Sequence, residues 1–327
     1  MKNSQKTVVV AMSGGVDSSV AALLLHNEGF NVIGVTMRLF PQNEETNYSL
    51  NKSCCSLDDV EDARSVCRQI GAKHYYLNFE KEFNEHVVNY FISEYQKGRT
   101  PFPCLACNDR LKFDFLLKRA EFMKADYIAT GHYASIIETK NEYKLIKGID
   151  ETKDQSYVLF NLTQNIMKKL KLPVGIFPKS EIRKIAEDHN LINAKKPDSQ
   201  DICFIPDGDY KKFINNKIDQ NQGLIVDSEG NKLGNHSGIH NFTIGQRKGI
   251  GIESKGKPLF VTKIYPSKNI VEVGPANELM QTKAHISKVN IISKKNNISN
   301  KEIFAKIRYK STPAKGKLKI KTDGNAV

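Results

Sequence analysis

Several features that would give this 327-residue chain a membrane address or a common chemistry are missing from it. It has no apolar run of roughly 18 residues, the length a membrane span needs. Met1-Lys2-Asn3-Ser4-Gln5-Lys6 is not followed by a signal-peptide core. The sequence therefore reads as a soluble, cytoplasmic protein with no membrane partner. No internal repeat is present. No lysine follows Gly14-Gly15, which excludes the G-x-x-x-x-G-K-[ST] P-loop of ordinary ATPases. There is one C-x-x-C, Cys104 to Cys107, so a four-cysteine zinc site, which needs a second, is excluded. Without a secretion signal the six cysteines are expected as thiols for catalysis or metal binding rather than as structural disulfides. Acids are scarce towards the C-terminus: from Ala284 to Lys321, Glu302 stands alone against 11 Lys or Arg, within a chain of net charge +13. Ile286, Val289, Ile291, Ile292, Ile303, Phe304, Ile307 and Tyr309 interleave with those cations and read as strands. A folded basic surface of this kind neutralises phosphates and attracts RNA or DNA.

What is present begins with Ser13-Gly14-Gly15-Val16-Asp17-Ser18-Ser19. It follows the apolar run Val8 to Met12 and opens a helical pattern through Val20, Leu23, Leu24 and Leu25. Strand, glycine turn and helix N-terminus make an anion site, because paired glycines admit an anion and the first helical N–H groups lack internal partners. The hydroxyls of Ser13, Ser18 and Ser19 add donors. The spacing Ser-Gly-Gly-x-Asp-Ser resembles the PP-loop of ATP pyrophosphatases, which split ATP between the α and β phosphates.

Further strands are expected at Asn31–Met37, His74–Phe79 and Tyr127–Tyr133. Helices are expected from Ser56, through a capping box, to Ile70, and over Phe83–Tyr95, Leu111–Met123, Gln155–Lys171 and Ser180–His189. Pro41–Ser53 and Arg99–Asn108 read as loops, and Ser135–Ile149 as a hairpin. This alternation predicts an α/β fold with a doubly wound parallel sheet and ligands at the strand C-termini. From Gly223 the texture changes to glycine turns and short strands, predicting two small β domains. The expected domains are 1–206, holding nucleotide and catalytic residues, then 207–275 and a basic, barrel-like 276–327.

Thr100-Pro101-Phe102-Pro103-Cys104-Leu105-Ala106-Cys107-Asn108 holds the C-x-x-C. Arg99, Arg110 and Lys112 lie near it in sequence, and cations favour a thiolate. By itself the motif fits half a zinc site or a redox pair equally well. Cys203 follows about a hundred residues on, beside Lys196-Pro197-Asp198-Ser199-Gln200-Asp201. Cys54, Cys55 and Cys67 read as core or loop thiols.

Taken together, these motifs resemble the tRNA-specific 2-thiouridylases, which thiolate the wobble uridine. The resemblance rests on SGGVDSS, on Cys54-Cys55 with Asp62-Ala63-Arg64, and on Gly98–Phe113. Ala129–Ala134, Lys153–Phe160, Lys196–Ile205 and Gly245–Ile252 continue it in order. It implies an enzyme using ATP with Mg²⁺, with Ala11, Met12, Ser13, Gly14, Gly15, Val16, Asp17, Ser18, Met37 and Gly131 around the nucleotide. It implies Cys107 as nucleophile and Cys203 as persulfide carrier, passing through a disulfide between them. Phe102, Pro103 and Cys104 correspond to the contact with the target base. His132, Lys153, Asp154, Gln155, Arg308 and Tyr309 correspond to tRNA contacts. The partners implied are tRNA of the Lys, Glu and Gln type and a sulfur donor, a cysteine desulfurase or sulfur-relay protein.

Two departures stand out. Phe102 replaces the family's usual Asn, so a ring able to stack replaces an amide able to hydrogen-bond. The chain ends at Lys321–Val327 without the family's Gly-Gln segment, so the last barrel reads as incomplete. Three other readings are weighed. An iron–sulfur cluster on Cys104, Cys107 and Cys203 would supply sulfur differently. Another PP-loop ligase, such as an amidotransferase synthetase, needs no paired thiols. A non-catalytic RNA-binding protein would not need the loop and both cysteines intact.

Overall fold

A computed structural model describes residues 6–41, 56–198, 202–205, 208–253, 256–293 and 298–327. The expected loop over 42–53, with Cys54 and Cys55, lies outside the described residues. The chain forms two compact units. One comprises 1–84, 104–206 and 286–327; the other comprises 85–103 and 207–285.

The first unit is built on β1 (Thr7–Ala11), whose Val8, Val9 and Val10 are fully buried. A strand covered on both faces reads as an unbroken apolar run. Helix α1 (Val16–Asn27) follows, then β2 (Asn31–Arg38), α2 (Leu57–Gln69) and β3 (Lys73–Asn78). Ser56 caps α2 as expected: its hydroxyl accepts from Asp59 N, and the Asp59 carboxylate accepts from Ser56 N. Beyond a helical run that ends in α3 (Leu116–Phe122) comes β4 (Tyr127–Ala129). The antiparallel hairpin β5 (Ala134–Glu138) and β6 (Tyr143–Lys147) forms a separate sheet, and β7 (Leu170–Lys171) returns to the first. That five-stranded sheet is parallel throughout, in the order β3-β2-β1-β4-β7. Helix α4 (Lys179–Asp188) packs on α1, and its Ile182 and Ala186 join Val8, Val10, Val20 and Leu25 in one core.

The expected helix over Gln155–Lys171 is broken. The Asp154 carboxylate accepts from Ser156 N at the start of a short turn over Ser156–Leu159. The Thr163 hydroxyl starts a second helix, Gln164–Lys169, by accepting from Ile166 N, and Leu170 is already extended. The expected loop Arg99–Asn108 is also corrected, because helix begins at Pro103. Proline suits a first helical position, where its missing N–H costs nothing.

In the second unit, β8 (Gly223–Val226), β9 (Lys232–His236), β10 (Phe260–Tyr265) and β11 (Ile270–Gly274) form a sheet in the order β10-β11-β8-β9. Ile225, Phe242, Ile250, Val261, Val271 and Val273 fill its core. Helices Asn89–Gln96 and Tyr210–Asn215 pair within this unit, with the Tyr95 and Tyr210 rings stacked 5.4 Å apart. The basic C-terminal stretch, within the first unit, forms the hairpin β12 (Glu302–Ala305) and β13 (Ala314–Lys317). Phe304 and Ile307 there are 74% and 80% exposed.

Candidate active site

The turn between β1 and α1 lies at the C-terminal edge of the parallel sheet. Met12 N extends the ladder by donating to Val35 O, and the chain then turns at Gly14, whose φ is +71°. That left-handed conformation favours glycine, and a Cβ on Gly14 would strike the backbone of Asp59. A Cβ on Gly131 would stand 2.7 Å from Ser18 N, so Gly131 lies directly against the first turn of α1. Ser18 Oγ accepts from Ser13 N and donates to Gly15 O, bracing the turn from inside. Beneath it, Asn193 is 2% exposed and donates to Gly14 O and Ser19 Oγ. Gly15, the N-cap, supplies no side-chain acceptor to the first-turn N–H groups. Backbone donors at the head of a 12-residue helix, approachable because glycines line them, suit a phosphate chain. Ala11, Met12 and Met37 lie buried at the same strand ends.

Asp17 faces away from the role of a lone metal ligand. Its Oδ1 accepts from the Tyr133 hydroxyl and from Lys179 Nζ, each at 2.7 Å. Lys179 Nζ also lies 2.8 Å from Asp198, which takes Lys153 at 2.8 Å and Arg183 at 2.9 Å. Burial pushes the Asp198 carboxyl up, but the bonds and charges of Lys153 and Lys179 outweigh it and hold the group at about 2. Burial and the bond to Asp17 drive the Tyr133 phenol far above its ordinary value. Asp17 is thus an acid in the first turn beyond the loop with one carboxylate oxygen already held by Tyr133 and Lys179.

The C-x-x-C sits on helix. Pro103–Ala106 runs into nine residues of π-helical winding, Cys107–Phe115, and then into α3. Such winding is usually confined to single turns and is frequent at functional sites. Cys104 is exposed and Cys107 half-buried, three positions apart and so on neighbouring parts of one face. Asn108 is buried, and its Nδ2 donates to Val158 O at 3.1 Å. The helical turn Glu80–Phe83 packs against Cys107–Phe115, and the Phe83 ring meets that of Phe204 edge-on at 5.7 Å. Phe204 follows Cys203, so one support carries both cysteine segments. Cys67 is a core thiol, with burial pushing it up to about 11. Among the described residues, no three His, Cys, Asp or Glu side chains come together as a metal-holding group.

The expected tRNA contacts fall into two kinds. His132 is 7% exposed, bonded through Nδ1 to Thr130 Oγ1 at 2.7 Å. Burial, with Lys112 adding to it, lowers its pKa well below the ordinary histidine value, so the ring is neutral. Its neighbour is Phe113, with ring centres 6.4 Å apart. Gln155 Oε1 accepts from Tyr133 N, and Asp154 Oδ1 accepts from Gly148 N. The Tyr309 hydroxyl donates to Asp154 O at 2.9 Å, bringing Arg308-Tyr309 against Lys153–Gln155. Phe102 and Pro103 belong to the second unit, half-buried and buried respectively. Sequence reasoning missed Lys179, Arg183, Asn193 and the partnership of Tyr133 with Asp17. One signal was available: Lys179 follows Pro178 at a helix start, where a cation opposes the helix dipole.

Residues 6–207 match the family described as the tRNA methyl transferase HUP domain, and residues 211–275 that described as the tRNA methyl transferase PRC-barrel domain. The "tRNA-specific 2-thiouridylase MnmA" of Acetivibrio thermocellus is 46% identical over 315 residues, 95% of this chain and 88% of the relative. That of Clostridium perfringens is 45% identical over 325 residues, 98% of this chain and 89% of the relative. "tRNA-specific 2-thiouridylase MnmA 1" of Thermoanaerobacter pseudethanolicus is 46% identical over 328 residues, 99% of this chain and 90% of the relative.

Proposed function

We propose that this chain, which belongs to the family of tRNA-specific 2-thiouridylases, replaces the O2 of a tRNA wobble uridine with sulfur at the expense of ATP. One observation carries the reading: a glycine-lined helix N-terminus and two cysteine segments on a shared support occupy the same compact unit. The backbone of Ser13 to Ser18 and of Gly131 receives the nucleotide. Uridine O2 attacks the α-phosphate, pyrophosphate departs, and the oxygen becomes part of a leaving group.

A sulfur donor, a cysteine desulfurase or sulfur-relay protein, loads Cys203 as a persulfide. Its outer sulfur attacks C2, and AMP leaves with the former O2. Cys107 then attacks the Cys203 sulfur, leaving the transferred sulfur on C2 and joining the two cysteines in a disulfide that an external thiol reduces. Alternatively, Cys107 attacks the persulfide first and sulfide is the species that adds to C2. Either way the two thiols meet in one pocket. The alternative is a route through an iron–sulfur cluster held by Cys104, Cys107 and Cys203. Phe102, Pro103 and Cys104 are assigned to the target base. His132, Lys153–Gln155 and Arg308-Tyr309 are assigned to tRNA. Domain 1–206 would hold the chemistry, with 207–275 and the basic 276–327 extending the RNA surface.

The words "methyl transferase" in the family descriptions name a different reaction. Methyl transfer calls for neither a triphosphate loop nor two thiols. A thiolation assay with ATP, a loaded sulfur donor and tRNA bearing unmodified wobble uridine tests the proposal. Nucleoside mass spectrometry separates sulfur-for-oxygen exchange from methylation. Cys107→Ser and Cys203→Ser are each expected to lower 2-thiouridine formation by at least about 10³-fold, a loss of about 4 kcal/mol of transition-state stabilisation. Full activity in either variant would overturn the thiol assignment.

A further inference from the structure

Lys179 is held where local rules disfavour it. It is 8% exposed, although lysine is almost never fully buried unless paired. It also stands in the first turn of α4, where the helix dipole repels a cation. Its ammonium is shared between two acids, 2.7 Å from Asp17 in the first turn of α1 and 2.8 Å from Asp198. These acids are unequally supplied. Asp198 also has Lys153 and Arg183. Asp17 has, among the described residues, no ion pair but that with Lys179, with the Tyr133 hydroxyl as its other partner. Asp198 can therefore give up Lys179 and stay paired, whereas Asp17 cannot.

We propose that Lys179 is a positioning residue that shifts between these two acids as phosphates arrive at the head of α1, and so passes nucleotide occupancy to the segment carrying Cys203. The inference rests on the reading that α1 receives ATP and Cys203 carries sulfur. Negative charge added beside Asp17 draws the ammonium towards the glycine turn. The hold on Asp198 loosens, and Asp198 settles on Lys153 and Arg183. Asp198 lies five positions before Cys203, and Phe204 and Ile205 are buried just beyond it. Asp198 and Cys203 are thus close neighbours in sequence, with a buried anchor directly after the cysteine. One buried cation with two alternative partner sets is a two-state element, which coupling between sites requires. Lys153 ties the same device to the tRNA side.

The test uses the full chain, alkylated with iodoacetamide with and without the magnesium complex of α,β-methylene-ATP. The Cys203 peptide is followed by mass spectrometry, at analogue concentrations shown by equilibrium dialysis to saturate each variant. In the unaltered protein the analogue is expected to change the Cys203 alkylation rate by about fivefold or more, the lower end of ordinary coupling. In Lys179→Met the analogue is expected to leave that rate unchanged. A nucleotide effect that persists in Lys179→Met overturns the inference. So does its absence from unaltered protein that binds the analogue. Unaltered protein that binds no analogue overturns the functional reading instead. Should Lys179→Met fail to fold or to bind, Asp198→Asn cuts the same link from the other end. It is expected to lose the nucleotide effect too, and its retention there overturns the inference.

Discussion

The glycine turn and the cysteine helix belong to one compact unit and are built on opposite principles. The turn is held from every side: Asn193 and Ser18 brace it, and the backbone of Asp59 leaves no room for a Cβ on Gly14. The cysteine helix keeps Cys104 exposed and Cys107 half-buried, and winds for nine residues in a form that rarely lasts more than one turn. A phosphate chain is stabilised by donors that do not reorganise. In the proposed reaction Cys107 must instead reach a persulfide carried on another segment, which demands access. Rigidity and exposure are thus divided between the two halves according to what each has to do.

The contrast breaks most visibly at Gly14. Gly14→Ala combines a left-handed φ with a backbone collision, so it is expected to cost more than about 2 kcal/mol. Nucleotide binding should fall at least tenfold, about 1.4 kcal/mol, which calorimetry and dialysis would show. Unchanged binding would mean that the turn is less constrained than its geometry implies.

Acid should loosen the same half next. The folded Asp198 carboxyl, at about 2, lies below its ordinary value. Its contribution is therefore complete above about pH 4 and is lost as pH falls through about 2, amounting to roughly 2 kcal/mol. Denaturant midpoints across that window should fall in the unaltered protein and fall less in Asp198→Asn. A parallel fall in both would remove the ion cluster from the account.

Asn108→Ala probes the other half. It leaves Val158 O without this donor and is expected to cost about 1–3 kcal/mol, lowering thiolation more than nucleotide binding. Equal losses in the two would erase the division of labour. The smallest effect is chemical rather than energetic. Iodoacetamide should label Cys104 readily and spare Cys67 in native protein, since burial raises the Cys67 thiol to about 11 and encloses it.

Much of the nucleotide half was legible in the sequence, because its signals are local. The Val8–Val10 run, the paired glycines and the Ser56–Asp59 capping box each act over a few residues, and each appears where expected. The start of the cysteine helix was not legible, because Pro101-Phe102-Pro103 reads as a loop until Pro103 is placed at a first helical position. β7 was hidden because two residues carry no periodicity. The ion cluster had no local signature either: Asp17 and Lys179 meet across 162 positions of sequence. Motif resemblance pointed to Cys107 and Cys203, and the Phe83 turn that supports both was visible only in three dimensions.

The brevity of β7 has a consequence for how the molecule behaves among its own copies. A parallel sheet whose last strand is long and apolar presents a template on which another chain can add, the usual first step of edge-to-edge aggregation. At the β7 edge the outermost strand offers two residues, Leu170 and Lys171, before Pro173 begins a turn that cannot extend the ladder, whereas β3 at the opposite edge runs for six. A lysine and a proline at the β7 margin act as a built-in stop on one side of a very apolar sheet. Replacing them with β-branched residues would trade that protection for a longer strand and a stickier protein.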